Sequence, residues 1–140
     1  VEMARSKGVE ARVADVTAPD FVPDRTYDTI LISEVLEHIP EPERVVARVR
    51  DSVGQRLILT FPNIAYLPHR LRLLFVSFPV QWGWHPGEHL RFWSLSDFRW
   101  WLDQLGFEVV SVQASNGIRG LAAFWPSLFG NQIVVARPRR

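Results

Sequence analysis

Two nearly uninterrupted apolar and β-branched runs, Asp28-Thr29-Ile30-Leu31-Ile32 and Gln55 to Phe61 (QRLILTF), constrain the fold more than any other feature. Runs of this kind, without strict polar alternation, suit strands that are buried on both faces of a parallel sheet. Between them Pro42 suits a first helical position. Glu41 and Glu43 suit the positive end of the helix dipole, and Arg48 and Arg50 its negative end. Val45, Val46 and Val49 supply the apolar stripe of that helix. Alternating strand and helix predict an α/β sheet with helices on its faces.

The remaining elements follow from spacing and caps. Val1 to Lys7 reads as the last turns of a helix, stopped at Gly8, where a left-handed residue is cheapest. Ala11 to Asp15 reads as a short strand. Leu67 to Val76 reads as a helix with Pro68 tolerated in its first turn. Ser94-Leu95-Ser96-Asp97 has the form of a capping box, and Leu95, Phe98, Trp101, Leu102 and Leu105 recur at helical spacing until Gly106. Glu108 to Val112 and Gln132 to Ala136 read as two closing strands, antiparallel to each other, joined by a long apolar loop over 118–129.

Composition narrows the function classes. The chain has 140 residues, 47% hydrophobic and 22% charged, enough for one core. Sixteen basic side chains against fifteen acidic ones leave a formal charge of +1, so no global field recruits nucleic acid. With no cysteine, disulfide scaffolds, zinc ribbons and thiol nucleophiles are excluded, and a cytoplasmic, reducing setting fits. No apolar run reaches the length of a membrane span, and Val1-Glu2-Met3-Ala4-Arg5 is not a secretory leader. The first residue is not an initiator methionine, and the chain is expected to begin inside a domain.

Three successive expected strands end in polar residues: Asp15, then Ser33-Glu34, then Asn63. If the strands are parallel, these groups share one rim, the edge where such sheets bind ligands. The alternative is that strand ends simply meet polar loops.

The segment Tyr27 to Ile39, with its "YD" entry and its "EVLEHI" turn, resembles the class I S-adenosylmethionine-dependent methyltransferases. The similarity runs from Val1 to Ala136. Gly106-Phe107-Glu108-Val109 resembles a late strand of that family. Phe61-Pro62-Asn63, Arg70, Arg72, Leu73, Leu74, Pro79, Trp82 and His89-Leu90 look most like its MetW-like branch, also described as methyltransferase type 11. The resemblance implies a Rossmann-like sheet with the third to seventh family strands present. The first two strands and the glycine-rich loop are absent, since the chain contains no Gly-x-Gly. The expected divisions are 1–63 as the rear of a cofactor-binding region, 64–92 as an acceptor-side insertion or lid, and 93–140 as the closing helix and strands. A strand at Ala11 to Asp15 would then lack its usual neighbours. It would fray, pair with Asp28 to Ile32, or find another chain. This piece alone is expected to bind no cofactor.

By the same resemblance S-adenosylmethionine is the cofactor. Asp15 would accept from the adenine amino group, the backbone of Val16 would face the adenine edge, and Ser33 and Glu34 would lie beside the methionine part. Methyl transfer needs mostly positioning and sometimes a base. His38, whose imidazole titrates near neutrality, and Glu34 are the catalytic candidates, against packing and rim roles for each. Asn63, Trp82, Trp84, His89 and Arg91 are the acceptor-pocket candidates. His69, His85 and His89 with Glu88 have no metal-ligand spacing, so no metal is expected. The acceptor is expected to be a small molecule, in methionine-related metabolism for the MetW-like branch. Two rivals remain. One is a non-catalytic partner of a metabolic acyltransferase, or a homodimer, docking through the apolar stretch 118–129. The weaker one is a peripheral membrane module using Leu67 to Trp84.

Overall fold

A computed structural model of the chain describes residues 1–79, 88–118 and 120–139. Its elements are α1 (Glu2–Ser6), β1 (Tyr27–Ser33), a 3₁₀ turn (Leu36–His38), α2 (Pro42–Arg50), β2 (Val53–Phe61), α3 (Leu67–Leu74), α4 (Leu95–Gln104), β3 (Phe107–Ser115), α5 (Leu121–Phe124), α6 (Pro126–Phe129) and β4 (Asn131–Pro138). The four strands form one mixed sheet in the order β1-β2-β4-β3. β1 and β2 are parallel, whereas β4 is antiparallel to both β2 and β3.

The core lies where α2 and α4 meet the sheet. Leu57, Leu59 and Phe61 alternate along β2 and are wholly buried, as are Phe98 and Leu102 of α4 and Val46 of α2. Alternation follows from the pleat, which sends every second side chain to one face. The Phe61 and Phe98 rings stack with centroids 4.0 Å apart, and Trp93 meets both edge-on. α4 starts at the expected capping box, in which Ser94 Oγ accepts from the Asp97 N–H and Asp97 Oδ2 accepts from the Ser94 N–H. It ends before Gly106, whose φ of +78° favours glycine at that position.

Four expectations are corrected. Ala11 to Asp15 forms no strand; no described strand lies beside it, and an unpaired backbone gains nothing from extended geometry. It does not pair with Asp28 to Ile32, one of the fates foreseen for it, and Val13 is 86% exposed. β1 is not buried on both faces: Ile30 and Ile32 are half-buried while Leu31 is 62% exposed. The cause is its edge position, with β2 as its one described neighbour. The helix expected to reach Val76 stops at Leu74, and Val76 adopts a left-handed φ of 61°, which breaks helical continuity. The apolar connector 118–129 is no plain loop but contains α5 and α6. No helix among the described residues is long and apolar enough to cross a membrane.

Phe98→Ala is expected to lower stability by about 3–5 kcal/mol through lost burial and the cavity left against Phe61. Trp100→Ala, at a position 66% exposed on the same helix, should shift it by no more than about 0.5 kcal/mol. Urea unfolding followed by far-UV circular dichroism separates the two.

Candidate active-site rim

The carboxyl ends of β1 and β2 open on the same edge of the sheet because the strands run parallel, and their register sets Ser33 opposite Thr60. Thr60 is the hub of this edge. Its hydroxyl lies 3.0 Å from Ser33 Oγ, accepts from the Glu34 N–H at 3.0 Å, and donates to Glu34 Oε1 at 2.8 Å. A hydroxyl has one proton, so donation to the carboxylate makes Ser33 the donor toward Thr60. Glu34 holds a left-handed φ of 51° immediately after the strand. Such a conformation is costly for a residue with a side chain, and it turns the chain sharply at the rim.

The turn leads into the 3₁₀ element, where the sequence places Glu37 and His38 side by side. Glu37 is 1% exposed, and neither of its carboxylate oxygens has a hydrogen-bond partner among the described residues. Burial pushes the Glu37 carboxyl above the usual carboxylate range and the Glu34 charge pushes it further, while its own N–H and His38 pull the other way. His38 Nδ1 lies 2.8 Å from the Glu88 carbonyl, so the ring carries its proton there and leaves the Nε2 lone pair available. Nε2 is 3.9 Å from Glu37 Oε1.

Main-chain bonds fasten the segment after residue 87 to this turn. The N–H groups of Leu90 and Arg91 both donate to the Glu37 carbonyl, at 2.7 and 3.2 Å. Arg91 also donates from its guanidinium to the Pro40 carbonyl. His89 is thereby set against His38, ring edge to face, with centroids 4.7 Å apart. Burial lowers the His89 pKa and the His38 charge adds to that, against Glu34 and Glu88.

Of the residues expected from sequence, the structure therefore brings Ser33, Glu34, His38, His89 and Arg91 to one edge. Asn63 lies at the same end of β2 but is wholly buried. Its amide donates to the carbonyls of Ser127 and Gly130 at 2.8 and 3.1 Å, and its oxygen accepts from the Ala65 N–H at 3.0 Å. That side chain is occupied in holding α6 to the rim. Asp15 is exposed and accepts from the Thr17 N–H and hydroxyl at 2.8 and 2.7 Å, bonds that lower its pKa. Val16 packs against the core cluster. Arg48 of α2 ties this segment down by donating to the Thr17 and Ala18 carbonyls. No described hydrogen bond or ion pair joins Asp15 to Ser33, Glu34 or Asn63. Trp82 and Trp84 lie outside the described residues.

Sequence reasoning missed Thr60, although it is the polar residue opposite Ser33 in an apolar run. It also passed over Glu37. An open hollow of about 890 Å³, lined by Arg50, Gly54, Glu108 and Arg137 among others, sits by the first residues of β2, away from this rim. Its polar walls and its place at the amino end of a parallel strand give it no part in the site.

A family model described as "Methyltransferase domain" matches residues 3–112. Among solved structures, a possible histamine N-methyltransferase of Thermotoga maritima, described as S-adenosylmethionine-dependent, is 18% identical with a TM-score of 0.66, over 99% of this chain and 68% of that one. The cyclase SpnF is 17% identical with a TM-score of 0.65, over 99% and 61%. Magnesium protoporphyrin IX methyltransferase of Synechocystis PCC 6803, with bound S-adenosylhomocysteine, is 20% identical with a TM-score of 0.55, over 84% and 47%. The chain thus spans about half to two-thirds of the length of these three structures. They share its α/β methyltransferase-like fold. No curated protein sequence matches the chain.

Thr60→Val keeps shape but removes three hydrogen bonds at the rim. It is expected to cost about 0.5–1.5 kcal/mol, because the bonds lie at an exposed edge and the Glu34 N–H keeps the Thr60 carbonyl at 3.4 Å. Thr29→Val, at an exposed position of β1, should be close to neutral. Equilibrium unfolding of both variants checks the contrast.

Proposed function

Because the chain belongs to the methyltransferase domain family, we propose that the rim of β1 and β2 is the rear wall of an S-adenosylmethionine site in a protein that methylates a small molecule. The observation that carries this reading is the strained turn at Glu34, locked by Thr60 at the carboxyl end of a parallel strand. An outlier of this kind, retained where such sheets receive ligands, belongs to a binding edge.

In this reading the main chain of Ser33 and Glu34 lines the methionine part of the cofactor, and Asp15 with Val16 reads the adenine edge. Transfer from a sulfonium is an in-line displacement that a protein serves by holding donor and acceptor in line. His38 presents its Nε2 lone pair toward the acceptor side, fixed by the Nδ1 bond to Glu88. His89, Arg91, Trp82 and Trp84 belong to the acceptor side, and Asn63 supports the rim from beneath. Glu34 acts through its main chain, since Thr60 occupies its carboxylate.

Two features support a small-molecule acceptor: the near-neutral charge and the porphyrin named for one of the similar structures. Placement in the MetW-like branch, with methionine-related metabolism and a cytoplasmic setting, rests on the residues from Phe61 to Leu90 quoted above. The rival reading as a docking module rests on exposed Leu121, Phe124 and Trp125. It leaves the Glu34 turn without a purpose, so the enzyme reading is preferred.

Titration calorimetry of the full-length protein with S-adenosylhomocysteine is expected to show one site per chain. Asp15→Ala and Ser33→Trp should each weaken it by about tenfold, or about 1.4 kcal/mol, while Trp100→Ala leaves it unchanged. Absence of binding to the full-length protein would refute the proposal, and an unchanged affinity in Asp15→Ala would remove Asp15 from the site.

A further inference from the structure

We propose that Glu37, His38 and His89 form a binding site for one divalent transition cation, of the zinc, cobalt or manganese kind, at the carboxyl rim of the sheet. One ligand atom from each of the three side chains can be chosen so that all lie within 4.8 Å of one another. A cation about 2.0–2.2 Å from nitrogen and carboxylate oxygen would draw them in to about 3.4 Å by side-chain rotation.

The first independent observation is the orphaned carboxylate. Glu37 is 1% exposed and both its oxygens lack partners among the described residues. Buried polar atoms of native proteins are satisfied with few exceptions, and an unpaired buried charge is among the costliest. Protonation does not resolve the deficit, since a neutral carboxyl carries an O–H that needs an acceptor and finds none in the described residues. His38 Nε2, at 3.9 Å from Oε1, is too far for a hydrogen bond. Two ligands of one tetrahedral ion lie about 3.4 Å apart, so the pair would close by about half an ångström on binding.

The second observation is the orientation of His38. Its Nδ1 faces the Glu88 carbonyl at 2.8 Å, which fixes the tautomer and leaves Nε2, 3.9 Å from Glu37 Oε1, as the nitrogen that can bind an ion. Imidazoles that bind metals are held in this way, with the far nitrogen donating to a carbonyl or carboxylate. The third is that the same segment is built onto the turn. Leu90 and Arg91 bond the Glu37 carbonyl, and this brings His89 to His38 across about fifty residues of chain.

Two imidazoles and one carboxylate favour borderline transition ions over magnesium or calcium, which prefer oxygen ligands. Glu34, close enough to shift both Glu37 and His89, adds negative field without being required as a ligand. Three protein ligands leave at least one position open to water or to an oxygen of a bound molecule. His38 then acts as a ligand and not as a free base. The corollary that the acceptor carries oxygen at that position rests on the methyltransferase reading; the cation site itself does not.

Cobalt(II) chloride added to the full-length protein freed of metal by chelator is expected to bind one ion per chain, with visible d–d absorption, and to be displaced by zinc. Glu37→Gln and His89→Ala should each weaken cobalt binding by about tenfold to a hundredfold, while His69→Ala, which alters a half-buried imidazole outside the cluster, leaves it unchanged. Glu37→Gln should also raise the melting temperature of the metal-free protein and abolish the further rise that cobalt gives the parent. Circular dichroism confirms that each variant is folded. No stoichiometric cobalt binding, or binding that survives both Glu37→Gln and His89→Ala, would overturn the proposal. S-adenosylhomocysteine titration without metal tests the cofactor site separately, so either reading can fail while the other stands.

Discussion

The parallel pairing of β1 with β2 is the constraint on which the rest of the rim depends. A parallel ladder sends both strands toward the same edge, so the chain must leave the sheet twice on one side. The register that opposes Ser33 to Thr60 puts a hydroxyl beside the last residue of β1. A shift of one residue would turn Thr60 to the core face and carry Leu57, Leu59 and Phe61 off it. Burial of Leu57, Leu59 and Phe61 against α2 and α4 prevents that shift, and the position of the rim is thereby set by the core.

Above the sheet, apolar packing no longer decides the arrangement. The Glu34 turn is held by Thr60, and the segment 88–91 by main-chain bonds to the Glu37 carbonyl and by the His38 ring on the Glu88 carbonyl. Such bonds are individually modest, about 0.5–1.5 kcal/mol net, but they are directional. They fix orientation where the hydrophobic effect, which has no direction, could not. A carboxyl kept buried without partners among the described residues works against folding, and that is the usual mark of a site shaped by something other than stability.

Much of the fold was legible in the chain. Apolar runs announced β1 and β2, the capping box announced α4, and Gly106 announced its end, because each signal acts within a few residues. What was misread depended on neighbours. Ala11 to Asp15 has the local look of a strand but no described strand to pair with. The run Ile30-Leu31-Ile32 looks buried on both faces, yet an edge position leaves Leu31 in solvent. Of the site, Ser33, Glu34, His38 and His89 were visible as residue types at strand ends or in a polar loop. That His89 meets His38 was not visible, since no spacing rule joins residues that far apart. Glu37 was hidden for another reason: a glutamate in a turn is normally solvated, and its burial at 1% exposure is a tertiary effect that no local signal carries.

Glu37 itself separates two kinds of work that are often confounded. Its carbonyl accepts two N–H groups and holds the acceptor-side segment in place, a task indifferent to the side chain. Its carboxylate makes no hydrogen bond among the described residues and contributes nothing to that docking. A change from carboxylate to amide therefore alters charge at the rim while leaving the main-chain lattice that positions His38 and His89. If the carboxylate served only packing, its amide analogue would be an equivalent filler with an equal burden of unsatisfied groups. The carboxylate differs from it in charge, and charge in a nearly dry niche beside two imidazoles is useful chiefly to a cation.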